Sequence, residues 1–313
     1  MSGGADGLVR LGGRRAGRTV EAVISRRAAA LRVLRVDGTD LVEPTAATHP
    51  APGPGAAGAV LAPWPNRVEG ARWTHDGVER MLPLTDPANG HSNHGLLLDR
   101  DWDLSDVTAE SVTLQTRLEP SRGYPFRLEL STRYSLEGAG VVVSHEVRNL
   151  GAEAAPFALG AHPYLSVGAH PVESSTLTIS ADRALVLDAG WIPRDEREVG
   201  GTRWDLRAGR RVAEIDPHSG YTALRVVDGQ VVHRLTAPDG SGVELWAEER
   251  FGWVQVYLAP DFASDRGARA ALAVEPMTAP PNAFVTKRAL HWIKPNEGWT
   301  AKWGIHYDRG PYA

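Results

Sequence analysis

Two titratable side chains occupy positions that suit proton transfer. Glu275 stands in the apolar run Leu272-Ala273-Val274-Glu275-Pro276-Met277, where a carboxylate is costly to bury and takes a raised pKa. Such a group can act as a general base near pH 7, the alternative being a stabilising ion pair with an arginine. His162, in Gly160-Ala161-His162-Pro163-Tyr164, is kept out of helical geometry by the proline that follows. Its imidazole can give or take a proton near neutrality, or play a structural part.

Two further clusters carry hydrogen-bonding groups. In Pro63-Trp64-Pro65-Asn66-Arg67 two prolines stiffen an extended segment that presents an amide and a guanidinium together. A guanidinium is a planar fork of donors that suits sugar hydroxyls or carboxylates, and an ordinary surface salt bridge is the alternative. In His91-Ser92-Asn93-His94-Gly95 two histidines stand three residues apart, as metal ligands can. Because no HExxH motif or third ligand accompanies them, we expect a hydrogen-bonding histidine or turn chemistry there, and no metal.

These side chains must be positioned by β-strands, because the dominant period of the sequence is two. In Phe126–Leu136 apolar and polar residues alternate, and Glu137-Gly138-Ala139-Gly140 predicts a hairpin turn into a strand over Val141–Asn149. Similar alternation predicts the strands Leu31–Val36, Val112–Leu118, Leu177–Ala181, Trp253–Leu258 and Trp299–Tyr307. No long window has a helical period, so the sequence predicts an all-β fold, one large antiparallel β-sandwich.

The 33 glycines and 22 prolines supply the turns that such a fold needs. The stretch His49–Gly58, rich in Pro, Gly and Ala, reads as a loop because the motifs on either side of it belong together. We therefore treat residues 1–313 as a single domain. This length can bury a large core.

Composition excludes several classes of function. The formal net charge of −4 provides no basic footprint for nucleic acid or for an anionic membrane. The chain has no cysteine, which rules out disulfides, thiolate nucleophiles and zinc sites built on cysteine. No apolar run approaches the ~20 residues that span a bilayer. We expect a cytoplasmic protein that uses no cofactor, and the sequence leaves its oligomeric state open.

The four clusters, in this order, resemble the aldose 1-epimerase (galactose mutarotase) family. The resemblance runs from about Gly7 to Tyr307 and rests on the Asn-Arg pair, the histidine–glycine loop, the His-Pro-Tyr and the late Val-Glu-Pro-Met. It implies the galactose mutarotase-like supersandwich, a large antiparallel β-sandwich with a sugar in an open cleft on one sheet. It also implies an isomerase that interconverts the α and β anomers of a free aldose by opening and closing the ring.

The resemblance assigns roles residue by residue. Glu275 would take the proton from the anomeric hydroxyl, and His162 would protonate the ring oxygen. Arg67 and His94 would hold sugar hydroxyls or the ring oxygen, with Asn66 supporting Arg67. No metal, nucleotide or nucleophile is required for this reaction.

Three more residues are implied to contact the sugar. Gln255 resembles a family glutamine, Asp216 stands near a family aspartate, and Tyr164 follows the His-Pro pair. The sequence departs from the family at three places. Tyr221 lies further from Asp216 than usual, His91 replaces a common asparagine, and Leu-Ser-Val follows the His-Pro-Tyr where an aromatic-Asn-Leu is more usual. These departures fall near the expected sugar pocket and leave its specificity open.

Three other functions are compatible with parts of the pattern. A hexose-6-phosphate 1-epimerase would need extra cations for the phosphate, and Arg72 and Arg100 form no tight cluster with the motifs. A non-catalytic sugar-binding protein would have no need for an acid–base pair. A polysaccharide lyase or hydrolase would need a long groove of exposed aromatics, whereas most of the 10 tryptophans stand at alternating strand positions.

Overall fold

The computed structural model describes residues 7–45 and 49–308, and strands are by far the main regular structure in these residues. The strands in chain order are β1 (Leu8–Arg15), β2 (Arg18–Ser25), β3 (Leu31–Val36), β4 (Thr39–Asp40), β5 (Val60–Leu61), β6 (Arg67–Val68), β7 (Arg72–His75), β8 (Val78–Met81), β9 (Ser92–Asn93), β10 (Asp103–Val107), β11 (Ser111–Leu118), β12 (Leu128–Glu137), β13 (Gly140–Asn149), β14 (Ala155–Phe157), β15 (Gly160–Ala161), β16 (Tyr164–Leu165), β17 (Thr176–Ile179), β18 (Ala181–Leu187), β19 (Pro193–Glu198), β20 (Arg210–Arg211), β21 (His218–Leu224), β22 (Gln230–Thr236), β23 (Gly242–Glu248), β24 (Trp253–Ser264), β25 (Gly267–Met277), β26 (His291–Ile293) and β27 (Gly298–Asp308).

Helix is confined to short turns. The helix α1 spans Ala283–Thr286, and four 3₁₀ turns span Pro54–Ala56, Glu69–Ala71, Val172–Ser174 and Val212–Glu214. Among the described residues, no helix is long and apolar enough to cross a bilayer.

One large sheet has nine strands in the order β10-β11-β12-β13-β27-β23-β22-β17-β20. The predicted hairpin is at its centre, with Glu137 paired to Gly140 and Gly138 in the left-handed region at φ 56°. Along β12 the residues alternate between buried and half-buried, as the period of two predicts.

The second large sheet, of eight strands, carries the residues of chemical interest. Its strands follow the order β19-β18-β21-β24-β25-β15-β5, with β16 also paired to β25. Two long neighbours, β24 and β25, place Gln255 opposite Glu275. The segment from β15 to β16 crosses the same strand, with Gly160 paired to Met277 and Tyr164 paired to Ala273. His162 is therefore brought beside Glu275 by the fold of this sheet.

One hydrophobic cluster joins the layers. It contains Val143 and Trp303 from the nine-stranded sheet, Val256 and Val274 from the eight-stranded sheet, and Ile24 from the four-stranded sheet β1–β4. The predicted all-β fold, a large antiparallel β-sandwich, is confirmed. A continuous core suits a single domain, and the assignment of 1–313 to one domain stays a prediction.

The predicted strands match the observed ones with small differences. The segment Leu31–Val36 is β3 in full, whereas the predicted Leu177–Ala181 ends at Ile179, since Ser180 separates β17 from β18. The two strands belong to different large sheets, so the chain changes layer at this residue.

A small polar network lies inside the nine-stranded sheet. Trp303 Nε1 donates to His145 Nε2 at 2.9 Å, so the imidazole proton is on Nδ1 and points to Thr132 Oγ1 at 2.9 Å. All three side chains are buried, and burial lowers the pKa of His145 to about 3. The network joins β12, β13 and β27 through a neutral histidine.

Candidate active site

An open cavity of about 370 Å³ lies on the eight-stranded sheet, near the carboxyl end of β25. Its walls come from loops as well as strands. The lining residues are Gly55, Ala56, Asn66, Arg67, Asn93, His94, Leu98, His162, Trp191, His218, Tyr257 and Glu275. Five residues predicted from the sequence to share a site, Asn66, Arg67, His94, His162 and Glu275, are thus brought together.

Glu275 is a buried carboxyl group with few partners. Its residue is 2% exposed, and Oε1 lies 3.4 Å from His162 Nε2. Oε2 has no hydrogen-bond partner among the described residues. Burial raises the pKa of Glu275 to about 8, against a smaller lowering by the charge of Arg67.

His162 is fixed by its backbone and by a stacked ring. Its N–H donates to Ala59 O at 3.1 Å and its C=O accepts from Gly58 N at 2.8 Å. The ring stacks on Tyr164 at 5.2 Å between centroids. Burial lowers the pKa of His162 to about 4. At pH 7 the pair of His162 and Glu275 therefore holds one proton and no net charge.

His94 is held in one tautomer. The backbone N–H of Asn66 donates to His94 Nδ1 at 3.2 Å, so the proton is on Nε2, the free nitrogen. Burial, with the neighbouring His162 and Arg67, keeps the pKa of His94 well below its ordinary value. Because the ring lines the cavity, His94 offers it a neutral N–H donor.

The loop of His94 requires a glycine. His94 and Gly95 both have positive φ, 61° and 77°. A Cβ on Gly95 would lie 2.1 Å from Ala62 O, a distance that no side chain tolerates. The Asn93-His94-Gly95 turn can therefore approach the Pro63-containing segment only because Gly95 has no side chain.

Arg67 and Asn66 stand side by side at the start of β6. Asn66 is in the left-handed region at φ 55°, and its Oδ1 accepts from the backbone N–H of Arg67 at 2.8 Å. Arg67 Nε donates to Asp86 Oδ2 at 2.8 Å. Among the residues that line the cavity, Arg67 is the only one with a permanent positive charge.

Three residues expected at the sugar are absent from the lining. Gln255 is completely buried beside Glu275, its partner in register on the same face of the sheet, and Tyr164 is buried next to His162. Asp216 is turned away, since its carboxylate is 3.0 Å from Arg203 Nη2. The predicted contact of Asp216 with a sugar therefore stays a prediction, and its place outside the lining gives it no support.

Three aromatic residues that the sequence did not predict as site residues also line the cavity, namely Trp191, His218 and Tyr257. His218 is paired in register with Tyr257 on β24, two residues beyond Gln255 and on the same face. That period of two is the signal that could have found Tyr257. Trp191 has φ 66° in the turn between β18 and β19, and its ring centre is 4.0 Å from that of His218. No sequence pattern marks such a turn.

The side chains that could bind a metal here are not the pair of His91 and His94 that the sequence suggests. One ligand atom each of His94, His162 and Glu275 lie within 4.8 Å of one another. His91 is not in this group, and its Nδ1 instead accepts from the backbone N–H of Gly70 at 3.2 Å. The pairing of His91 with His94 as metal ligands is thus unsupported by the geometry.

The family model for aldose 1-epimerase matches residues 14–306. The uncharacterized protein YihR of Escherichia coli K12 is 35% identical over 230 residues, which cover 72% of this chain and 71% of that protein. Galactose mutarotase from Rattus norvegicus is 32% identical over 157 residues, 48% of this chain and 45% of the rat protein. The chain thus aligns with less than half of the rat enzyme's length.

Solved structures share the fold at low sequence identity. A GalM/aldose epimerase homologue from C. elegans has a TM-score of 0.82 at 17% identity, covering 96% of this chain and 98% of that one. Galactose 1-epimerase from Lactobacillus acidophilus has a TM-score of 0.75 at 17% identity, covering 97% and 99%. Together with the family match over most of the sequence, these neighbours confirm the predicted resemblance, and the chain belongs to the aldose 1-epimerase family.

Proposed function

We propose that the protein is an aldose 1-epimerase that interconverts the α and β anomers of a free aldose. The observation that carries this proposal is the pair of Glu275 and His162, 3.4 Å apart in a cavity lined by hydrogen-bonding side chains. A binding protein gains nothing from burying a carboxyl group with an unpartnered oxygen, because such burial costs free energy. A proton-transfer enzyme needs that arrangement.

Ring opening uses the one proton that the pair holds. In the reactive form Glu275 is ionised and His162 is protonated. Glu275 takes the proton of the C1 hydroxyl while His162 protonates the ring oxygen, the C1–O5 bond breaks, and the aldehyde forms. Rotation about C1–C2 presents the other face of the aldehyde. The transfers then run in reverse and close the ring as the opposite anomer, typically with ~10²–10⁴-fold acceleration from such acid–base steps.

The protonation states of Glu275 and His162 after ring opening are the ones that their pKa values favour in the absence of substrate. After ring opening Glu275 is protonated and His162 is neutral, which is the arrangement that a pKa of about 8 for Glu275 and about 4 for His162 favours. The site thus stabilises the products of the first proton transfers without any change in its net charge.

The remaining donors suit a neutral sugar. His94 presents Nε2–H, and Arg67 presents its guanidinium to the cavity. A phosphate usually takes two or more cations or a helix N-terminus. The lining offers Arg67 alone, already paired with Asp86. These contacts favour a free aldose over a hexose 6-phosphate.

Polarimetry of freshly dissolved α-D-glucose and α-D-galactose tests the proposal. We expect the purified protein to accelerate the change in rotation, with activity unchanged after exhaustive chelation. If NMR exchange showed that the protein accelerates the anomerisation of glucose 6-phosphate alone, the hexose-6-phosphate 1-epimerase would be favoured. Sugar binding without acceleration would favour the binding protein, and loss on chelation reversed by a divalent ion would favour a metal at His94, His162 and Glu275. The cytoplasmic location stays a prediction, which cell fractionation tests.

A further inference from the structure

The guanidinium of Arg67 is hydrogen-bonded at Nε and has no partner at its two Nη atoms among the described residues. Its Nε donates to Asp86 Oδ2 at 2.8 Å, and the two side chains are only 14% and 13% exposed. Among the described residues neither Nη atom has a hydrogen-bond partner. A guanidinium is planar and rigid, so a bond at Nε fixes the direction of both Nη atoms. Those atoms are the part of Arg67 left for a ligand in the cavity.

Asp86 is itself held firmly. Asn89 Nδ2 donates to both carboxylate oxygens of Asp86 at 3.0 Å, and backbone bonds between Asp86 and His91 close the turn. Burial opposes ionisation, but these bonds and Arg67 hold the pKa of Asp86 below its ordinary value. Asp86 is therefore a fixed negative charge, on the turn that leads into His94.

We propose that Asp86 is a positioning residue of the site, which directs the Nη atoms of Arg67 into the cavity and offsets the arginine's charge there. This rests on the proposed function, since it names a device that makes the same site prefer a neutral sugar. Without Asp86 the arginine would swing and would present an uncompensated positive charge to substrate and to the acid–base pair.

The charge felt by Glu275 comes from few sources. His162 and Tyr164 face it from the β15–β16 segment, His94 from the loop after β9, and His218 from β21. Gln255 and Tyr257 face it from β24. The three histidines and Tyr164 are neutral near pH 7, given the lowered pKa of each histidine and the raised pKa of Tyr164. Arg67 is then the charged neighbour that acts on Glu275, and Asp86 weakens its effect.

Asp86→Asn removes the negative charge of the side chain and keeps its shape. The amide oxygen can still accept from Arg67 Nε, while the negative charge is lost. The stronger field of Arg67 should favour ionised Glu275, so that the alkaline limb of the kcat/KM profile moves to lower pH by about half a unit. The ratio of kcat/KM for glucose 6-phosphate to that for glucose should rise several-fold. Asp86→Ala also removes the acceptor and should raise KM for glucose about tenfold, more than it lowers kcat.

Asp106→Asn is the matched control. It breaks the pair of Asp106 with Arg133, whose side chains are 54% and 41% exposed, outside the cavity lining. The pH profile and the substrate ratio should stay at their wild-type values. Asn89→Ala, which loosens Asp86 without changing its charge, should raise KM for glucose and leave the alkaline limb in place. It also provides the test of positioning should Asp86→Asn fail to fold.

A readout without turnover separates this proposal from the proposed function. The carboxyl ¹³C signal of Glu275, assigned through Glu275→Gln, is titrated in the wild type, Asp86→Asn and Asp106→Asn. A lower midpoint in Asp86→Asn alone supports the role of Asp86 even if the wild type proves inactive on every aldose. An unchanged midpoint, or an unchanged substrate ratio in an active and folded Asp86→Asn, overturns it.

Discussion

At the scale of single residues, the activity of the site depends on how Glu275 and His162 share one proton. Glu275 and His162 are both almost completely buried, and burial moves their acidities in opposite directions because it penalises the charged form of each. The carboxyl group becomes a weaker acid and the imidazole a weaker base. Neither group alone is suited to the reaction at pH 7. As a pair they exchange a proton through the substrate, because Glu275 takes one from the C1 hydroxyl while His162 gives one to the ring oxygen.

Removing either member should abolish most of the activity. Glu275→Gln keeps the shape of the side chain but cannot accept a proton, and His162→Asn cannot donate one to the ring oxygen. We expect kcat to fall by ~10²-fold or more in each, with circular dichroism and Tm close to the wild type. Asp216→Asn is the control, since Asp216 lies outside the cavity lining and should be replaceable. Near wild-type mutarotation by Glu275→Gln would show that the base is elsewhere.

The pH dependence should report the pair as a unit. Ring opening needs the singly protonated pair, which loses its proton near the pKa of Glu275, about 8, and gains a second near that of His162, about 4. We therefore expect kcat/KM to be level near neutrality and to fall tenfold per unit above about pH 8. Initial-rate polarimetry in constant ionic strength buffers measures it. Activity that rises steadily from pH 7 to 10 would contradict the shared-proton mechanism.

At the scale of elements, strands fix the carboxyl group and loops bring the rest of the site to it. The register of β24 and β25 sets Gln255 beside Glu275, on the face of the sheet that carries the cavity. The loop with His94 reaches the site across a contact between Gly95 and Ala62 that leaves no room for a Cβ. The position of His94 therefore depends on a glycine at residue 95.

Gly95→Ala should damage both stability and activity. The new Cβ would lie 2.1 Å from Ala62 O, so the loop must move and carry His94 out of place. We expect a loss of roughly 2–4 kcal/mol in the free energy of unfolding, together with a fall in kcat/KM. Gly77→Ala is a matched control, since Gly77, in the β7–β8 hairpin, has a similar φ of 75° but no atom within 4 Å of its Cβ position. It should cost only about 1 kcal/mol and spare activity. Equal losses in the two variants, by urea unfolding, would contradict the steric account.

The sequence predicts much of this and fails where geometry is not local. Period-two alternation in Phe126–Leu136 and Trp299–Tyr307 marks strands because one face of each is buried. The resemblance to the family implied that Asp216 contacts the sugar, whereas its carboxylate is paired with Arg203 and lies outside the cavity lining. His218, two residues on, enters the cavity because of its register with Tyr257, and register between strands far apart in sequence is set only when the sheet forms.

At the scale of the whole molecule, histidine is used as a neutral residue. His94, His162 and His218 line the cavity, while His145 and His233 are buried in the nine-stranded sheet. Burial lowers the pKa of each of the five below its ordinary value. Unfolding exposes these rings to water, where they bind protons near pH 6.5. The native state therefore binds fewer protons than the unfolded chain under mildly acidic conditions.

Stability should fall as the pH falls from about 6.5 toward 3. Each such histidine favours the unfolded chain by up to ~1.4 kcal/mol per unit over that interval. We expect the free energy of unfolding, from urea titrations, to drop steadily between pH 7 and 4. His145→Gln cannot be protonated, so its stability should depend less on pH, even though it starts lower through loss of the bonds to Trp303 and Thr132. A wild type equally stable at pH 7 and 4.5 would contradict this.

The neutral histidine between Trp303 and Thr132 thus has a meaning beyond the architecture of the sheet. Its tautomer is fixed by one donor and one acceptor, so the interior tolerates that ring only without charge. A core assembled around such groups is sensitive to acid. It should hold its shape best near neutral pH and lose stability in an acidified medium, whatever sugar is present.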